Sequence, residues 1–139
     1  MIGPNRATKG KSFEELIKAM LGNQGYTDFR LNIHAIGMEF DLKATHKTDL
    51  HKVLCECKAH AKPVATPDLT DFNGKFRNQL DKRKIHKSMF ISISDFTGTA
   101  REWYNDEVHS KIKKVFKLYG PEELTKLLVD SLYCYLMLN

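Results

Sequence analysis

The sequence predicts an α/β domain with a mixed central sheet flanked by helices, and three observations carry that prediction. Short runs of period-two alternation recur between Phe29 and Ile93. Stretches with apolar residues every three or four positions flank and separate them. The resulting order is helix, three strands, helix, strand, helix, strand, helix, which requires helices on both faces of one sheet. With 139 residues, 42% hydrophobic and 28% charged, the chain fits one core and no second domain.

Residues 1–11 hold Gly, Pro, Asn and basic residues without periodicity and read as a flexible basic arm, with residues 12–139 as the domain proper. Ser12 is placed to cap the first helix, with Glu15 completing a capping box and Phe13, Leu16, Ile17, Met20 and Leu21 forming its apolar stripe. The helix should stop between Gly22 and Gly25. Phe29 to Ile36 then alternates, Leu31 and Ile33 against Arg30, Asn32 and His34, and Gly37 turns into a second strand. That strand puts Met38, Phe40 and Leu42 on one face and Glu39, Asp41 and Lys43 on the other.

The third strand, Lys52 to Ala59, projects Glu56 and Lys58 to one side and Val53, Cys55 and Cys57 to the other. Thr66 or Asp68 is the expected cap of a helix carrying Leu69, Phe72, Phe76 and Leu80, weakened by Gly74 by about 1 kcal/mol relative to alanine. Met89 to Ile93 reads as a strand, residues 94–99 as a loop, and Ala100, Trp103, Tyr104 and Val108 as a helix. Val115 to Leu118 is the last strand. Pro121, Glu122 and Glu123 then open the closing helix, with proline in the first turn and acids at the positive end of its dipole. That helix carries two apolar stripes, one from Leu124 to Leu136 and one of Val129, Tyr133 and Met137, so a second copy of the chain or a further domain is expected to cover it.

Formal net charge is +5, and the basic residues cluster at Lys82-Arg83-Lys84 with His86 and Lys87, and again from Lys111 to Lys117. A polyanionic partner is favoured, although solvated faces carry such runs as well. Three cysteines in an ordinary composition point to a reducing cytoplasm rather than a disulfide framework. No signal-type apolar run precedes the first helix and no apolar stretch is long enough to span a bilayer, so no membrane partner is expected.

The chemistry concentrates at Leu54-Cys55-Glu56-Cys57-Lys58. If the second and third strands are neighbours, Asp41, Glu56 and Lys58 converge at one sheet end. Two carboxylates then hold a hard divalent cation, and the ammonium orients a water or offsets charge on phosphorus. For a bare Glu-x-Lys an ordinary solvated glutamate–lysine pair is the commoner explanation. Zinc on His51, Cys55, Cys57 and His60 is the competing constellation, but one intervening residue between the cysteines is too few for the usual pair, and strand cysteines behave as small core hydrophobes.

The order Phe13-Glu14, Gly25-Tyr26, Phe40-Asp41-Leu42, Glu56-Cys57-Lys58 and Asp71-Phe72-Asn73-Gly74 resembles the Mrr-like branch of the PD-(D/E)xK restriction-endonuclease superfamily. Ile91 to Thr97 with Ala100, and Tyr119 to Leu124, resemble its later blocks. The resemblance implies a restriction-endonuclease-like αβββαβ core and a Mg²⁺-dependent endonuclease acting on DNA, with Mn²⁺ as substitute, serving restriction or anti-phage defence. It carries the family's acids onto Asp41, Glu56 and Glu14 and its lysine onto Lys58, with Asp41 and Glu56 as metal ligands. His60, Lys62, Lys75 and Arg77 are the expected nucleic-acid contacts. The branch often has glutamine where Glu56 stands, and its glycine-rich approach to the aspartate is here Ile36 to Phe40, with Glu39 available beside Asp41. A Holliday-junction resolvase and a non-catalytic nucleic-acid-binding module are the alternatives on the same fold.

Overall fold

A computed structural model describes the backbone of residues 6–35 and 38–138 and the side chains of 10–33 and 41–138. Its elements run α1 (Arg6–Asn23), β1 (Tyr26–Ala35), β2 (Met38–His46), β3 (Lys52–Lys58), α2 (Thr66–Asp81), β4 (Lys87–Ser92), α3 (Gly98–Glu107), α4 (Ser110–Lys113), β5 (Phe116–Tyr119) and α5 (Pro121–Leu138). The five strands lie in chain order in one sheet. β1–β2 and β2–β3 are antiparallel, whereas β3–β4 and β4–β5 are parallel, so each parallel step carries helices across a face of the sheet.

Strand alternation divides the interior in two. Leu42, Ala44, Val53 and Cys55 point toward α1 and α5, where they meet Phe13, Ile17, Met20, Leu21 and Leu124. Leu54 and Phe90 point the other way and join Leu69, Phe72 and Phe76 of α2, Ala100 of α3 and Phe116 of β5. Phe72 meets both Phe90 and Phe116 edge-on, at ring-centroid separations of 5.6 and 5.7 Å. Burying an aromatic ring of this kind contributes about 2–3 kcal/mol, so this face holds the third and fourth strands rigidly beneath α2.

Several elements differ from the sequence reading. α1 begins at Arg6, so Ser12 lies exposed inside the helix and does not cap it, because alanine and lysine propagate a helix through the single Gly10. Residues 1–5 of the expected arm lie outside the described residues. α2 takes Ala65 as its cap position, and Asp68 works from within the first turn, its carboxylate accepting the Ala65 N–H at 3.0 Å. Finally, the alternation of β1 breaks at Asn32, whose φ of +51° rotates the chain. Leu31 packs with the α1 side and Ile33 with the α2 side, instead of sharing a face. The short α4 between α3 and β5 has no apolar periodicity to announce it.

Leu124 and Ser131 of α5 are buried, and the Ser131 hydroxyl donates to the Met20 carbonyl at 3.1 Å, tying the helix to α1. Beyond it Leu132, Tyr133, Leu136, Met137 and Leu138 stand exposed, so the first half of α5 belongs to the domain core and the second half does not.

Candidate active site

The last ladder pair between β2 and β3 on this side is Leu42 with Cys55. One residue further on, Asp41 and Glu56 face each other on the α2 side of the sheet, as alternation from Leu42 and Cys55 demands. Here the strands stop exchanging backbone bonds. Asp41 Oδ2 accepts the Cys57 N–H at 2.8 Å, so a side chain closes the ladder where the backbone leaves it. The strand pair therefore opens at the carboxylates, and the opening is a cleft of about 690 Å³ lined by Asp41, Glu56, Lys58, His60, Lys62 and Ile93, with Gly10 of α1 at its rim.

Glu56 is the perturbed group. Burial first, then the hydrogen bond and the charge of Asp41, push its carboxyl up to about 8, against the opposing pull of Lys58 and Lys75. Glu56 therefore keeps its proton into the neutral range unless a cation enters. Glu14 sits on the edge of the same field: burial, then the charges of Asp41 and Glu15, raise its carboxyl, while a hydrogen bond from Asn32 lowers it. The left-handed turn at Asn32 that breaks β1 thus also supports an acid of the site.

Lys58 ends β3, and its carbonyl accepts the Ile93 N–H at 3.1 Å, which docks the strand end to β4. The following turn is held by the Ser94 hydroxyl, which donates to the His60 carbonyl, and by the Ser94 N–H, which donates to Ser92 Oγ at 3.0 Å. His60 and Lys62 consequently line the cleft, and Lys75 reaches it electrostatically from α2. Arg77 is different. It lies two helical positions beyond Lys75, about 160° around the axis at 3.6 residues per turn, and is exposed on another face of α2. The fold brings Asp41, Glu56, Lys58, His60, Lys62 and Lys75 together, sets Glu14 beside them and leaves Arg77 outside. The side chain of Glu39 lies outside the described residues.

Asn32 and Ser94 were missed by the sequence reading. Asn32 had a weak signal, since asparagine tolerates the left-handed region better than most residues. Ser94 had none, because its partner is a backbone carbonyl 34 residues away.

The rival ligand set is dispersed. Cys55 is fully buried among Leu42, Val53 and Ile91, Cys57 packs against the same cluster, and burial raises both thiols. His51 stacks on His86 at 4.5 Å at the far end of β3. Among the described residues no three of His, Cys, Asp and Glu are grouped closely enough to hold a metal by themselves. The donor set that remains, two facing carboxylates in an open cleft, fits a hard cation that keeps several waters and takes only one or two protein oxygens.

Mixed sheet, flanking helices and a paired acid and lysine where two strands part define a restriction-endonuclease-like domain. The chain belongs to the Mrr_cat family, described as restriction endonuclease, which matches residues 5–127 and is a family of nucleases. Among solved structures, AF1548, a protein of unknown function, is similar at 16% identity and a TM-score of 0.63 over 85% of this chain and 64% of that one. A repair endonuclease from Pyrococcus abyssi is similar at 11% identity and a TM-score of 0.57, covering 86% of this chain and 48% of that one. At these identities the likeness is one of fold, and the chain spans less than two thirds of either neighbour. No curated protein matches it. Among the described residues, no helix is long and apolar enough to cross a membrane.

Proposed function

We propose that the chain is a PD-(D/E)xK-type endonuclease that hydrolyses DNA phosphodiester bonds with Mg²⁺, or Mn²⁺ in its place, in restriction or anti-phage defence in the cytoplasm. The observation that carries this reading is the pairing of Asp41 with Glu56 beside Lys58 where β2 and β3 separate. Asp41 and Glu56 are the residues that would hold the ion. When bound, it supplies Lewis acidity toward a phosphate oxygen and lowers the pKa of water.

The protein's own residues do the rest. The Cys57 amide fixes one Asp41 oxygen and leaves the other carboxylate oxygens of the pair for the cation. Lys58 places an ammonium beside the acids, where it orients the attacking water and offsets charge accumulating on phosphorus. Lys62, Lys75 and His60 receive flanking phosphates without regard to base sequence. Glu14, held by Asn32, adds negative field behind Asp41. The exposed apolar residues toward the end of α5 suit a second copy of the chain or a further domain, and sedimentation as a clean monomer that shows no exposed apolar patch would count against both.

Plasmid cleavage in Mg²⁺ tests the assignment. Asp41→Ala and Lys58→Ala are each expected to slow cleavage by 100-fold or more, about the effect of removing one charge-stabilising group from an active site. Cleavage that survives both substitutions overturns it.

A further inference from the structure

The second basic surface is not part of the cleft. In the parallel ladder Val53 pairs with Lys87 and Lys58 with Ser92, so the two lysines lie at opposite ends of β3 and β4, about 16 Å apart at 3.3 Å per residue. Around Lys87 are two adjoining hollows of about 450 and 280 Å³ that share Lys87, Lys114 and Val115. Arg83 and the stacked His51–His86 pair line the first, and Lys117, Tyr26 and Tyr119 the second. Among the described residues no aspartate or glutamate lines either hollow. Asp49, whose charge acts on Lys87 and His86, is engaged with His46 and His51 at 3.7 and 3.6 Å.

A second observation singles out Arg83. α2 ends in a Schellman turn, the Arg83 N–H bonding to the Leu80 carbonyl and the Lys84 N–H to the Gln79 carbonyl, each at 3.0 Å. The residue after the cap in that turn is left-handed, and Arg83 has a φ of +56°. Glycine is the residue this backbone favours, and a long side chain such as arginine costs about 1 kcal/mol or more. An arginine therefore stands in a strained position whose visible consequence is a cation at the mouth of the first hollow.

We propose that the groove joining these hollows is a second nucleic-acid track, which takes a sugar–phosphate backbone on Arg83, Lys87, Lys114 and Lys117 at the end of the sheet opposite the Asp41–Glu56 cleft. The row of cations crosses both hollows, which suits a polyanion longer than one phosphate. Aromatic faces stand beside it at Tyr26, Tyr119 and the histidine pair, and Lys87 already rests 5.3 Å from the Tyr26 ring centroid. A protein partner would place its apolar centre where the hollows meet, and two of the three side chains there, Lys87 and Lys114 beside Val115, are cations.

The test is binding of a fluorescein-labelled 30-bp duplex by the full chain in EDTA, followed by anisotropy across a salt series. The variant is Arg83→Gly combined with Lys114→Gln. Glycine suits the left-handed position and Lys114 is exposed, so the fold is retained and the melting temperature should not fall. Removing two phosphate contacts should weaken binding about tenfold at 0.1 M salt and reduce the slope of log K against log salt by about 1.8. An unchanged affinity and slope overturn the proposal. Displacement of the duplex by inorganic pyrophosphate at an equal phosphate concentration also overturns it, since the groove would then be a small-anion site. Because the readout needs no cleavage, a chain inert as a nuclease still gives a decisive result.

Discussion

Replacing Glu56 with glutamine should make the metal-free protein more stable, and increasingly so as pH rises. In the folded chain Glu56 holds its proton to about 8, while in the unfolded chain it releases it near 4.5. Between those values the native state binds more protons than the unfolded state, so stability falls as pH increases through the interval and levels off above about 8. Each pH unit is worth about 1.4 kcal/mol, which sets a ceiling of about 5 kcal/mol at pH 8. Water entering the open cleft screens the charge of Glu56 and reduces it to about 2–3 kcal/mol. Glutamine keeps the shape and can donate to Asp41, but it never ionises. Thermal melts in EDTA at several pH values are the assay. The Glu56→Gln variant and the wild type should coincide near pH 4.5 and separate by about 5–10 °C at pH 8 for a chain of this size. Saturating Mg²⁺ should recover part of the gap for the wild type alone, by binding only its native state. A stability difference that stays flat from pH 4.5 to 8 would refute the reasoning, because the two acids would not then be sharing a desolvated space.

Two further outcomes follow from the packing. Phe76 is fully buried against Phe116 on the α2 side, and Phe76→Ala should cost about 3–5 kcal/mol in urea unfolding, with the denaturant slope unchanged. Burial raises the Cys55 thiol well beyond its ordinary range, so Cys55 should resist a thiol reagent at pH 8 in the native protein and react once the chain is unfolded in urea; rapid native labelling of Cys55, located by peptide mapping, would contradict its place in the core.

Much of the architecture was legible because it depends on local periodicity. Glu56 and Lys58 had to share one face of their strand, and Val53, Cys55 and Cys57 the other, whatever the strand paired with. The apolar spacing of Leu69, Phe72 and Phe76 defined which side of α2 would be buried in the same way. Helix starts were less legible: Ser12 looks like a cap from its neighbours, yet the residues before it are themselves adequate helix formers and the helix runs through it.

What the sequence determined by itself, then, was the order of the five strands and the longer helices, the face on which Glu56 and Lys58 stand, and through its block order the family. Only tertiary structure decided that Asp41 meets Glu56, since strand register depends on contacts between residues 15 apart in the chain and a slip of one residue would have turned Asp41 toward α1. Tertiary structure also separated the lysines. Lys75 and Arg77 are near neighbours in sequence but project on different sides of α2, and the cluster at residues 82–87, so close in sequence to both, is carried by the parallel return of β4 to the far end of the sheet. Charge composition records how many cations a chain has, whereas which of them act together is a matter of three-dimensional distance.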